Sequence, residues 1–271
     1  MAKSVDTASS AATDERAAQD QGLSTYVYGI LPEDVQVSED ARGVGTPPAP
    51  VRLVRHGEIA ALVSEIALDR PLGTPDDLVA HQRLLDATAA EVPVLPLRFG
   101  AVLTSQEAVV DELLAPYHDE FVAALGELEG RAEFVVKGRY DERTLLTEVL
   151  NENAEVAQVR DEIQGKPEEE TRQARIRLGE LVNQAVSVKR ESDTQAVLDK
   201  LAPLSVLAVV RDPSHEMDAV HLALLVEKDR QDELEDAVED HSRQSAGRIE
   251  LRLLGPQAPY DFVATARQEG G

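Results

Sequence analysis

The chain has 271 residues, 42% hydrophobic content, 3% aromatics, no Trp, no Cys and a formal net charge of −24. That length suits two domains of common size or one large one, with a core built mainly from Ala, Val and Leu. The negative field repels phosphate backbones and anionic headgroups, so nucleic acid and lipid membrane are not expected partners, and the missing thiols exclude disulfide scaffolds, thiolate metal sites and Cys catalysis.

Met1 to Gly22 carries no apolar h-region, and no later segment approaches the roughly 18 apolar residues of a membrane span. A soluble, cytoplasmic protein with a disordered tail over 1–22 is expected. Thr25 to Leu31 is rich in β-formers and ends at Pro32, which predicts a core strand. The Gly43-Val44-Gly45-Thr46-Pro47-Pro48 stretch is a loop, and Val51–Arg55 with Ile59–Ile66 flank His56-Gly57-Glu58 as a β-hairpin. Thr74-Pro75-Asp76-Asp77 is a helix start, predicting a helix to about Ala90 with Leu78, His81, Gln82, Leu85 and Ala89 on one face. Val92–Phe99 reads as an edge or bulged strand because of Pro93 and Pro96. Thr104 to Glu107 fits a capping box, and the helix it opens is expected to bend or break at Pro116.

The second half reads as a strand at Ala132–Tyr140, a long helical region, strands at Val206–Arg211 and Ala219–Glu227, a helix from Asp229 to about Ser245, and a strand at Ile249–Leu254 stopping at Gly255-Pro256. This βαββαβ order is the ferredoxin-like one. Gly165-Lys166-Pro167 divides the helical region, about 142–202, into two arms. Leu146, Val149, Val156, Val159 and Ile163 on the first arm, and Leu178, Leu181, Ala185 and Val188 on the second, predict a short antiparallel coiled coil. The fold class is therefore α+β, with a domain over 23–130, a second over 131–264 and a flexible tail at 265–271.

Chemical motifs are few. His215-Glu216 followed by His221 departs from the zinc-helix spacing and runs into a strand, so a polar turn is expected there. The prolines after Gly43-x-Gly45 forbid the helix N-terminus a phosphate cradle needs, and Glu168-Glu169-Glu170 reads as a solvated first helical turn. No nucleotide-hydrolysis or acyl-transfer signature is present, and no catalytic residue, cofactor, metal or small-molecule substrate is expected. Two segments remain as candidates for a family motif or interaction site: Leu95, Pro96, Leu97, Arg98, Phe99 and Gly100, and Gly255, Pro256, Pro259, Tyr260 and Phe262. Arg98 is expected to face away from Leu97 and Phe99 and either to pair with an acid or to recognise a partner, and the terminal aromatics are expected either to close the fold or to dock a partner.

With Tyr26-Val-Tyr-Gly-Ile-Leu31, Gly57-Glu-Ile-Ala-Ala-Leu-Val-Ser64 and Val220-His-Leu-Ala-Leu-Leu-Val226, these segments in their order resemble the gas vesicle GvpF/GvpL family. Members often carry Trp and Pro where this chain has Gln257 and Ala258, and Ser where it has Asp261. The resemblance implies an N-terminal modified ferredoxin-like α+β domain and a C-terminal ferredoxin-like domain with a helical coiled-coil insertion. It also implies a non-enzymatic accessory role in gas vesicle assembly, as chaperone or adaptor for the small shell protein GvpA and other Gvp proteins, or else a minor place in the shell.

Overall fold

A computed structural model of the chain describes residues 23–67 and 71–263; the tails expected at 1–22 and 265–271 lie outside them. The fold is mixed α+β with two sheets. Contacts group the described residues up to 132 with 256–263 in one compact unit, and Glu133–Gly255 in another.

In the first unit, strand β1 (Leu23–Pro32) lies at the centre of its sheet and is buried along most of its length. It pairs antiparallel with β3 (Ile59–Ala67), which forms a hairpin with β2 (Arg52–His56). Gly57, at φ 59°, supplies the left-handed turn residue that the hairpin needs. On its other side β1 meets two short strands, β4 (Leu95–Pro96) and β5 (Val102–Leu103). The strand expected over 92–99 is thus cut to two residues. Pro93 and Pro96 carry no amide donor, so the ladder is reduced to Gly29↔Pro96 and Ile30↔Leu95, with Leu97 N–H donating to Tyr28 O at 2.8 Å just beyond it.

Helix α1 (Pro75–Glu91) starts as expected, with a capping box in which Thr74 accepts from Asp77 N–H. Its buried face is Asp77, His81, Leu85 and Ala89, whereas Leu78 is 47% exposed. The Asp77 carboxylate turns back to accept from Gly73 N, Thr74 N and Thr74 Oγ1, and that satisfied polar group takes the position assigned to Leu78. Ser105, rather than Thr104, caps the next helix, α2 (Gln106–Ala108). It runs into a π-helical turn at Val109–Leu114, where Ala115 N–H donates to Val110 O. The chain breaks around Pro116 and resumes as α3 (His118–Leu128).

In the second unit the order is β6 (Arg131–Tyr140), helices α4 (Glu142–Glu152), α5 (Ala154–Ile163) and α6 (Glu168–Leu201), β7 (Leu207–Val210), β8 (Asp218–Glu227), α7 (Gln231–Gln244) and β9 (Ile249–Gln257). The sheet order is β7-β8-β6-β9. Asn153 interrupts the first arm, its side chain accepting from Glu155 and Val156 N–H. Leu145, Val149, Val156 and Val159 are its buried residues, while Leu146 is half-buried. On α6 the pattern placed Val188 on the seam, yet it is 61% exposed and Val186 is buried instead. Arg248 ties this unit's helices to its sheet, with a bidentate pair to Asp193 at 2.9 Å and a bond to Glu148 at 2.8 Å.

Strand β9 does not stop at Gly255-Pro256 but continues to Gln257. It is an edge strand, where a missing donor is tolerated. Gly255 has φ 137°, and a Cβ there would lie 2.8 Å from Phe134 Cδ1 and 2.9 Å from Glu133 O, so only glycine fits this close passage.

Candidate functional site

Alternation along β1 places Tyr26 and Tyr28 on one face, both 0% exposed, and α1 lays His81, Leu85 and Ala89 in the same core. The two candidate segments meet there, within the first unit. From the 95–100 segment, Phe99 packs edge-on to His81 with ring centroids 5.5 Å apart, and Gly100 N–H donates to Tyr26 Oη at 3.2 Å. From the terminal segment, Tyr260 Oη lies 3.0 Å from His81 Nε2. Tyr26 Oη lies 2.9 Å from the other ring nitrogen, Nδ1, so His81 bridges two phenols 234 positions apart in the chain numbering by the separations of 55 and 179 on its two sides.

The rest of the terminal segment is held as firmly. Ala258 is 0% exposed and its N–H donates to Asp86 Oδ1 at 3.0 Å; Pro259 is buried, and Phe262 is 7% exposed in the helical turn α8 (Tyr260–Val263). Tyr28 carries a second set of bonds, donating to Ser64 Oγ at 3.0 Å and accepting Val44 N–H at 2.8 Å. A Cβ on Gly43 would fall 1.9 Å from its hydroxyl. The Gly43-x-Gly45 loop therefore closes over a tyrosine, and its glycine is there for close approach.

Burial sets the protonation of this cluster. Desolvation pushes the His81 imidazole below its ordinary value, opposed by the Leu97 backbone carbonyl, and it raises both the Tyr26 and Tyr28 phenols. The Asp86 carboxyl is likewise raised by burial, opposed by the bonds from Ala258 N–H and Gln82. A neutral imidazole between two neutral phenols has one ring donor and one ring acceptor, which matches the two hydroxyl partners. The geometry is that of a hydrogen-bonded clasp.

Of the candidate residues, Leu95, Pro96, Pro259 and Phe262 are buried, Leu97, Phe99 and Tyr260 are half-buried, and Arg98, Gly100, Gly255 and Pro256 are exposed. Arg98 is exposed and has no ion pair among the described residues, so the pairing expected as one of its two readings is not formed: the strand that would have aimed it at a neighbour ends at Pro96. His81 is the residue sequence reasoning passed over as a site. Its signal was a lone imidazole on an otherwise apolar helix face. At the other polar motif, Asp218 accepts from Ser214 N, Ser214 Oγ and His215 N, and Met217 N–H donates to His215 Nδ1, which makes the segment a turn between β7 and β8 as expected. Among the described residues no group of three or more His, Asp or Glu is placed to hold a metal ion, and no helix is long and apolar enough to cross a membrane.

Fold and site thus define a two-unit α+β protein whose signature segments are joined around a buried histidine. Residues 24–264 match the family model described as gas vesicle synthesis protein GvpL/GvpF, and the chain belongs to that family. It is 36% identical over 245 residues to gas vesicle protein F of Streptomyces sp. (strain CB03234), covering 89% of this chain and 100% of that protein. Gas vesicle protein L of the same organism is 25% identical over 273 residues, covering 90% and 94%. The crystal structure of GvpF from Anabaena sp. PCC7120 superposes with a TM-score of 0.72 at 27% identity, covering 89% of this chain and 98% of that one. A gas vesicle related role follows.

Proposed function

We propose that this chain is an accessory protein of gas vesicle assembly that binds the shell protein GvpA and other Gvp proteins as a chaperone or adaptor. The observation that carries the reading is the family match across nearly the whole chain, 24–264. The physical need is plain: a small, strongly apolar shell subunit aggregates unless its apolar face is covered, and a carrier with a net charge of −24 keeps such a complex dispersed. The higher identity to the F protein than to the L protein of one organism, 36% against 25%, supports the F type. The sheet order β7-β8-β6-β9 supports a ferredoxin-like second unit into which α4 to α6 are inserted, and the first unit is read as its more modified counterpart.

Co-expression with GvpA and the remaining Gvp proteins, followed by affinity capture of this chain, tests the proposal. Retention of GvpA is expected, with vesicles failing to form when the chain is omitted and the chain depleted from washed vesicles. Persistence on detergent-stripped vesicles would instead make it a minor shell component, and capture of no Gvp protein would sink the binding role.

A further inference from the structure

The two edges of the second sheet are built differently. Strand β9 carries Glu250, Arg252 and Pro256, all exposed, which are devices that discourage pairing with another strand. Strand β7, at the opposite edge, has none of them: residues 204–210 read Leu-Ser-Val-Leu-Ala-Val-Val, with no charge and no proline. Val206, Leu207 and Val210 are 40%, 49% and 55% exposed, making them the main run of large exposed apolar side chains on this unit's sheet.

The backbone is available too. β7 pairs antiparallel with β8 in the register Leu207↔Leu225 to Val210↔Leu222, and Arg211 N–H donates to His221 O at 2.8 Å. Hydrogen-bonded and outward-facing residues alternate in such a ladder. Val209 and Arg211 therefore turn their N–H and C=O groups toward β8, and Ala208 and Val210 turn theirs outward, while at the start of the strand Val206 N–H donates to Leu225 O at 2.7 Å. Alongside, between this edge and α6, runs a cleft of about 450 Å³ with a mixed lining, in which Val210 and Val220 lie beside the charged Arg190, Glu191, Asp212 and Asp218.

From this edge we infer that β7 accepts an extended, uncharged, apolar segment of a gas vesicle partner as an additional strand of the sheet. The inference rests on the assembly reading above and names the surface and the chemistry of its partner. An uncharged apolar edge over 204–210 matches an uncharged apolar strand, and main-chain bonds at Ala208 and Val210 supply direction. A second copy of this chain is disfavoured because both copies carry a net charge of −24.

Ala208→Pro removes an outward amide without touching a bond to β8, and Val210→Lys adds a charge at a site already exposed. Both variants are compared with the unmodified chain for capture of GvpA and the other Gvp proteins, with circular dichroism to check folding and amide exchange read at residues 207–210. The expected result is capture reduced about tenfold or more in both variants. In the unmodified complex, the Ala208 and Val210 amides become protected, while those of Val206 and Arg211 are protected with or without partner. Unchanged capture by a folded variant overturns the inference and leaves the assembly reading standing. Protection at Ala208 and Val210 in the chain alone, together with a dimer on sedimentation, overturns it in favour of self-pairing. Capture of no Gvp protein by the unmodified chain overturns both. Should Ala208→Pro fail to fold, the lysine variant and the exchange pattern decide the matter.

Discussion

Removing the terminal tyrosine separates closure of the fold from partner docking. In Tyr260→Phe one hydroxyl is deleted, and with it the 3.0 Å bond to His81 Nε2, which predicts a loss of about 0.5–1.5 kcal/mol. Tyr260→Ala also removes a half-buried ring packed on the core of β1 and α1. Taking about half the 3–5 kcal/mol of a fully buried aromatic for the ring and adding the hydroxyl bond, the total loss is about 2–4 kcal/mol. At a urea dependence of about 2 kcal/mol per molar, the midpoint falls by roughly 1–2 M. Near-UV circular dichroism suits the measurement, since of the five tyrosines only Tyr140 lies in the second unit, so the signal reports chiefly on the first. A graded series, unmodified above Phe above Ala, with capture of Gvp partners unchanged in the folded range, is expected. An Ala variant with an unchanged midpoint but no partner capture would refute the clasp and make the segment a docking surface.

The His81 imidazole, held below its ordinary value by burial, stabilises the fold in full above about pH 6.5, where it is neutral in both states. That contribution declines as pH falls below 6.5 toward the folded-state value, because the unfolded chain takes up the proton first. The raised Asp86 carboxyl acts in the opposite direction at lower pH, so the test is the difference between the unmodified chain and His81→Gln. The unmodified chain should lose urea resistance faster between pH 6.5 and 5, and parallel profiles would contradict the assignment. Gly29→Ala is predicted to cost about 1–3 kcal/mol of stability in the first unit, because its Cβ would meet Leu95 O at 2.7 Å, a backbone atom that cannot swing aside. A midpoint within error of the unmodified chain would show that β4 yields freely.

The local elements were legible because their causes are local. Alternation around Gly57 predicts the β2–β3 hairpin, and Thr74-Pro75 predicts the start of α1, since each signal lies within a few residues of what it specifies. Errors arose where a polar group found a partner that hydropathy does not register. Asp77 displaced Leu78 from the buried face through its capping bonds, and β9 passed through Pro256 because the sheet ends there. The clasp was out of reach for a different reason. His81 and Tyr260 are 179 residues apart, and no periodicity or composition connects them. The two segments that named the family were visible from the start, but that they meet at a buried imidazole is a property of the folded chain alone.

Unlike a proline, Ala258 carries an amide, and that amide donates to Asp86 Oδ1 at 3.0 Å. Proline at 258 would remove the donor and leave the Asp86 carboxylate, raised already by burial, with one partner fewer. Ala258→Pro should therefore destabilise the first unit by about 0.5–1.5 kcal/mol, the net worth of one partly buried hydrogen bond. The same change beside Asp86→Leu should cost much less, because the acceptor is gone. A double-mutant cycle by urea unfolding measures the coupling. Additive costs would mean that the bond is incidental and that the ring of proline itself is what the site resists. A coupling of about 1 kcal/mol or more, on the scale of one partly buried bond, would mean that Asp86 and Ala258 act together to close the terminal segment.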